Sequence, residues 1–413
     1  MLDIPTSRTA GGRSRPGVPP GGARQSALRE SNLALVARTV CASPVPLSRA
    51  GVAEQTSMTR STVSRLVDDL VAAGILAELG RTVGSGRGRP GTPLVAGSTP
   101  VALGLEVNAT YLAATLLDLG GRVVAEEVVP GDFVDSDPVA TLARLSALAV
   151  GVLRGMPSHA RLVGAGLALP GIVSADSGRL LVAPNLAWSD LDPAAHLDPT
   201  ATGGLPLHVG NEASLAALTV AEVAPGRPGP LSDFVYLSGE IGIGGAAVVD
   251  GRVMTGRHGW AGEVGHVCVD PDGPPCACGS TGCLEQYAGR RALLAAAGLP
   301  AGTPTADLVA RTRSGDARAA DAVARAARAL GVALAGVVNV LDIPAIVLGG
   351  HLGQIADLVR PGLERELTTR ALSARWVAPT ISTSSAAGPA PGATGAALHE
   401  LAGVLADPAR WLR

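Results

Sequence analysis

Two stretches of this chain repeat one design, and that repetition restricts the fold more than any other feature of the sequence. Residues 101–129 read as an apolar strand, a turn, a second strand, Gly120-Gly121 and then Arg122-Val-Val-Ala-Glu. Residues 234–254 do the same with Phe234-Val-Tyr-Leu, the run Gly239-Glu-Ile-Gly-Ile-Gly-Gly245, Ala246-Ala-Val-Val-Asp-Gly251 and Arg252-Val-Met. Helical periodicity at 138–154, 212–223, 304–314 and 318–340 falls between or after these strands. Such alternation predicts an internally duplicated α/β body with a cleft between two lobes. Aromatic residues make up only 2% of the chain, so its core must be built from Ala, Val and Leu.

Charge separates the N-terminal part from this body. All 33 basic side chains are arginine, which excludes a P-loop lysine, a Schiff base and a lysine nucleophile. The net charge of −2 hides a split, with residues 1–97 at +6 and the rest at −8. A basic end joined to an acidic body suggests a nucleic-acid-facing module.

The local pattern in that basic end is more specific. Leu33, Leu35, Val36, Ala37 and Val40 follow helical spacing from Glu30 to Ala42, and a short helix follows at Ser48–Gln55. After a turn at Thr56-Ser57-Met58, Thr59 is placed to cap a third helix. Val63, Leu66, Val67 and Leu70 line one of its faces, and Gly74 is placed to end it. Its opposite face offers Arg60, Ser61, Thr62, Ser64 and Arg65, groups that can hydrogen-bond phosphates and base edges in a major groove. Helix, tight turn and second helix resemble a helix-turn-helix. A strand at 75–79, a glycine-rich loop from Arg81 to Pro93 and the returning Leu94-Val95 predict a wing. Arg87 and Arg89, separated by Gly88 at its tip, suit a narrow minor groove, with a flexible linker as the plainer alternative. Residues 1–24 carry no apolar core of a secretory signal and look like a disordered arm.

The strongest local signal lies at 263–285. His266, Cys276, Cys278 and Cys283 supply the four ligands a tetrahedral structural Zn2+ prefers, with Cys268 as a competitor. Four protein ligands leave no open position, so a structural metal is expected. Five cysteines in this arrangement do not resemble a disulfide framework, and a reducing compartment, the cytoplasm, is the expectation. No apolar run approaches the ~20 residues needed to span a bilayer.

The run Gly262-Glu263-Val-Gly-His266, Cys276-Ala-Cys278-Gly279 and Gly282-Cys283-Leu-Glu285 resembles the signature of the ROK family of sugar kinases and sugar-responsive repressors. The resemblance covers nearly the whole chain. It implies a winged helix at 25–97 and a two-lobed actin-like, ribonuclease-H-type body at 100–413. It implies zinc on His266, Cys276, Cys278 and Cys283, and sugar contacts from Gly171, Asn211, Glu212, Glu263, His266 and Glu285. His266 could hold the metal through one nitrogen and face the sugar with the other.

Two departures from the kinase pattern stand out. Where the family's phosphate loop resembles Asp-x-Gly-Gly-Thr, this chain has Glu106-Val-Asn-Ala-Thr110, without the glycines that let backbone amides approach phosphate. Where kinases place Asn-Asp, it has Asn211-Glu212, which moves the base by one methylene. An Asn-Glu pair here resembles the xylose-responsive branch. The expectation is a sugar-responsive transcriptional regulator, a repressor without catalytic residues, acting on double-stranded operator DNA as a homodimer or homotetramer. The alternative is a sugar kinase with residual or bifunctional activity.

Overall fold

The computed structural model describes residues 21–80, 92–384 and 388–412. Three helices open the chain: α1 (Gly21–Ala42), α2 (Arg49–Thr56) and α3 (Arg60–Ala72). Ser48 caps α2 by accepting the Gly51 N–H, and the helix stops where Ser57 turns left-handed at φ 55°. Thr59 caps α3 by accepting the Thr62 N–H. Val63, Leu66, Val67 and Leu70 are buried on its inner face. Strands β1 (Leu76–Glu78) and β2 (Leu94–Ala96) pair antiparallel, Leu76 opposite Ala96, and complete a winged helix.

Helix α1 begins at Gly21, inside the segment expected to be an arm and well before Glu30. No proline intervenes between Pro20 and Pro44, so nothing interrupts the helix there. Leu35, expected to be apolar core, is 40% exposed. The remaining residues of the expected arm and the wing tip with Arg87 and Arg89 lie outside the described residues.

The body contains the expected duplication. Strands β3 (Pro100–Val107), β4 (Tyr111–Asp118) and β5 (Val123–Pro130) form an antiparallel meander, followed by helix α4 (Pro138–Arg154) and β6 (Arg161–Leu169). A small sheet of β7 (Ile172–Val173), β8 (Leu180–Ala183) and β9 (Trp188–Leu191) precedes β10 (Leu207–Asn211), helix α5 (Glu212–Ala221) and the pair β11 (Glu222–Ala224) and β12 (Arg227–Pro228). The second lobe starts with β13 (Phe234–Gly239), β14 (Ile243–Val249) and β15 (Arg252–Val253). Helices α6 (Glu285–Ala288), α7 (Arg290–Ala296), α8 (Thr305–Arg313) and α9 (Ala317–Leu341) come next. Then follow β16 (Ala345–Gly349), α10 (Gly350–Gln354), α11 (Ala356–Arg370) and β17 (Thr380–Thr383). The first sheet has the order β10-β6-β3-β4-β5 and the second β17-β16-β13-β14-β15. In each, three antiparallel strands adjoin two parallel ones, the same arrangement twice.

The last helix, α12 (Pro391–Ala406), returns to the first lobe and lies close on its sheet. A Cβ on Gly104 of β3 would collide with the Ala393 carbonyl, and one on Gly166 of β6 would press on Ala396. This is how an aromatic-poor core reaches tight packing: small residues let backbones approach. The other end of α12 meets the N-terminal unit. Leu398, Leu401, Val404 and Leu405 share one apolar cluster with Leu33, Val36, Ala37 and Val40 of α1. The winged helix is therefore seated on the first lobe through a continuous core.

Helix α9 bears on the expectation about apolar length without containing an unbroken apolar run. An 18-residue stretch within its 25 residues has mean hydropathy 1.5, and the helix is long and apolar enough by composition to cross a bilayer. It is the central helix of the second lobe instead, burying Ala322, Val323, Ala326, Leu330 and Leu334 against the other helices of that lobe. The arginines and aspartate of its first half sit on the opposite face and escape a reading that looks for an unbroken apolar run.

Candidate functional site

A cavity of about 500 Å³ opens between the lobes. All six candidates for sugar contact, Gly171, Asn211, Glu212, Glu263, His266 and Glu285, line it. The first lobe brings Gly171 just after β6 and Asn211-Glu212 at the junction of β10 and α5. The second brings Glu263 and His266 after the meander and Glu285 at the start of α6.

Backbone architecture sets these side chains. Gly171 adopts φ 95°, and a Cβ there would collide with the Val182 carbonyl, so only glycine lets the wall fold so closely. Asn211 caps α5, its Oδ1 accepting the Ser214 N–H at 3.0 Å. Its Nδ2 donates to the Gly171 carbonyl at 2.9 Å, which keeps one amide hydrogen and one lone pair for a ligand. Glu212 accepts from Asn108 Nδ2 at 3.2 Å.

Sequence reasoning missed two lining residues and misread a third. Asn185 carried no signal, because it stands in an ordinary Pro-Asn turn. Glu240 is embedded in the glycine-rich hairpin, where the glycines are the stronger signal. Gly242 of that hairpin is needed for space: a Cβ there would collide with the Glu285 carboxylate and lie 2.7 Å from Asn185 Nδ2. Asn108, read only as a lost glycine, lines the cavity and holds Glu212.

Carboxylates dominate the electrostatics. Burial pushes Glu212 well above the usual carboxylate range, and the nearby Glu106 and Glu240 push it further. Burial likewise raises Glu240 to about 7, against a lowering by Arg290. Glu106, behind the cavity wall, rises to about 7 for the same reason. It accepts hydrogen bonds from Tyr111 Oη and from the Ala393 N–H, both at 2.8 Å. Glu263 is raised by burial. Carboxyl groups poised this way can donate as well as accept, which suits a polyhydroxylated ligand.

Beside the cavity, His266, Cys276, Cys278 and Cys283 bring their ligand atoms within 4.8 Å of one another. Cys276 Sγ lies 3.8 Å from His266 Nδ1, and Cys278 Sγ lies 3.7 Å from Cys283 Sγ. Ligands 2.0–2.3 Å from a tetrahedral zinc are separated by about 3.5–3.8 Å, which these two pairs match, and the whole group could hold such an ion. Cys268 stands outside the group and is exposed. His266 turns Nδ1 to the thiols while Nε2 lies 3.9 Å from Glu263 Oε2, toward the cavity. Cys276 Sγ also lies 3.2 Å from Glu285 Oε1, which ties the cysteine loop to the cavity wall.

On α3, Arg60, Ser61 and Arg65 are exposed, and neither arginine makes an ion pair among the described residues. The hydroxyl of Thr59 lies within 3.0 Å of those of Ser61 and Thr62. Ser64 is half-buried and accepts from Arg49, a residue that sequence reasoning passed over. Arg49 also pairs with Asp68 and Glu78 and so locks α2, α3 and β1 together.

A winged helix fused to a two-lobed, actin-like sugar-kinase fold defines the class of protein. The family model for ROK matches residues 102–401, and the chain belongs to the ROK family. It is 27% identical over 366 residues to a xylose repressor of Caldicellulosiruptor bescii, covering 84% of this chain and 90% of that one. A solved ROK family transcriptional regulator, a homologue of the Escherichia coli MLC protein, superposes with TM-score 0.71 at 25% identity, over 92% of this chain and 98% of its own. A ROK glucokinase from Streptomyces griseus, solved with glucose and AMPPNP, reaches TM-score 0.59 at 26% identity, over 72% of this chain and 98% of its own.

Proposed function

We propose that this chain is a sugar-responsive transcriptional repressor whose cavity senses a sugar and whose N-terminal unit holds operator DNA. The observation that carries this reading is α12, which touches Glu106 behind the cavity at one end and supports α1 at the other. The N-terminal helices and wing, from Gly21 to residue 97, form the DNA-binding domain, and residues 100–413 form the sensor. Arg60, Ser61 and Arg65 face the major groove, while Thr59, Thr62 and Ser64 shape the helix start that presents them. Arg87 and Arg89 reach the minor groove. The C. bescii relative's name favours xylose or a close analogue as effector, held by Gly171, Asn211, Glu212, Glu263, His266 and Glu285. We infer a cytoplasmic homodimer or homotetramer, because a repressor reading two half-sites needs at least two winged helices.

Zinc held by His266, Cys276, Cys278 and Cys283 supplies a structural cross-link with every position filled. Through Cys276 and His266 that loop positions Glu285 and Glu263 against the sugar. Closing of the lobes then moves α12 and, with it, the winged helix. The sugar switches the protein only by preferring one of the two states.

Non-catalysis is supported at the first-lobe hairpin. Asn108 Oδ1 accepts from the Thr110 N–H at 3.0 Å, which occupies a backbone amide that a phosphate would need. Glu106 is turned into the α12 contact, and burial holds the Glu212 carboxyl well above the usual carboxylate range. The test is operator binding by fluorescence anisotropy with and without sugars and ATP. Salt-dependent binding modulated by a sugar, and lost when Arg60 and Arg65 become alanine, is the expected result. ATP-dependent sugar phosphorylation would overturn it.

A further inference from the structure

Apart from the group of His266 with three cysteines, the first lobe carries a second concentration of ligating side chains. His208 stands on β10, the edge strand of the sheet, and His399 and Glu400 are neighbours on α12. One ligand atom from each lies within 4.8 Å of the others. The two imidazoles are stacked, their centroids 4.1 Å apart and their planes 13° from parallel. Glu400 lies over β6 in space left by Gly164, where a Cβ would collide with its carboxylate. Among the described residues it has no hydrogen bond or ion pair, although burial around it pushes it up to about 7. An unpartnered carboxylate beside two histidines invites a cation.

We propose that His208, His399 and Glu400 form a second metal site, for a divalent transition ion bound by two imidazoles and one carboxylate. That donor set suits Zn2+, Co2+ or Ni2+ and disfavours Mg2+ and Ca2+, which take oxygen ligands. Three protein ligands leave positions open to water, so this site differs in kind from the closed group of one histidine and three cysteines. An ion lies in the plane of each imidazole that binds it, so the stacked rings cannot share one as they stand. Turning one ring about its χ2 unstacks the pair, and the atoms, which lie within 4.8 Å of one another, then settle at the ~3–3.5 Å separation of ligands on a single ion. The ion would pin the strand that ends in Asn211 to the helix on which the winged helix rests.

The test uses full-length protein with the Cys site loaded with zinc, titrated with Co2+ and read by calorimetry and visible absorption. One further equivalent is expected, giving weak d–d bands without the thiolate charge-transfer band that Co2+ in the Cys site would produce. His208→Ala and His399→Ala, both at exposed positions, should each weaken this binding by at least about tenfold while the zinc content stays at one. Glu400→Gln should weaken it as well. Uptake of no further equivalent by the unaltered protein, or an unchanged second equivalent in the double histidine variant, would overturn the proposal.

Discussion

The two lobes share a strand order but not a hairpin turn. In the second lobe Gly242 makes room for Glu285 and Asn185 at the cavity. In the first lobe the equivalent turn is filled, with Asn108 buried, its Oδ1 taken by Thr110 and its Nδ2 by Glu212. One fold thus uses the same turn in opposite ways. Where side chains are absent the backbone makes space for a ligand, and where one is present it satisfies the backbone internally. A duplicated fold does not imply duplicated chemistry.

The largest effect should come from the metal loop that supports the open turn. Cys278→Ser removes one thiolate of the proposed zinc group and with it the brace on Glu285, so sugar affinity should fall by about a hundredfold or more while operator affinity without sugar changes little. Calorimetry and anisotropy measure the two separately, and equal losses in both would break the distinction between brace and scaffold. Gly242→Ala should displace two hydrogen-bonding side chains, each worth about 1–3 kcal/mol when left unpaired, and weaken sugar binding at least about tenfold. Normal affinity in this variant would show that the open turn has no part in the site.

Glu106→Gln probes the filled side through pH. Its folded pKa is raised to about 7 from the ordinary 4.5 by burial, so its protonated form is the one the fold favours. The stability it contributes is full below the unfolded pKa and is lost as pH rises through 4.5 toward 7. The glutamine variant should therefore melt higher than the unaltered protein at pH 8 and nearly level with it at pH 4.5. The reverse order would mean that the Tyr111 and Ala393 hydrogen bonds hold the carboxylate charged. The smallest effect is expected from Asn108→Gly, which frees the Thr110 amide. A small ATP-induced rise in melting temperature, absent from the unaltered protein, should appear without sugar phosphorylation. No rise would break the view that the tethered amide is what keeps phosphate out.

Much of this architecture was legible beforehand. The meanders at 101–129 and 234–254, the cap at Thr59 and the buried face of α3 are local features, set by side-chain alternation, periodicity and capping. The group of His266 with Cys276, Cys278 and Cys283 was legible because soft ligands crowd one loop. Asn185 and Glu240 were not, since their importance depends on what stands across the cleft. The start of α1 was misplaced because capping signals are weak there and a helix, once nucleated, extends as far as nothing stops it.

By itself the sequence determined the duplicated α/β body, the winged helix, the grouping of one histidine with three cysteines and the identity of the polar groups at the cleft. These follow from short-range patterns that survive without knowledge of the fold. Only the tertiary structure decided that α12 joins the cavity to α1, that Glu106 faces that helix, and that His208 meets His399. Those contacts link residues far apart in the chain, and no periodicity or spacing encodes which distant surfaces will bury one another.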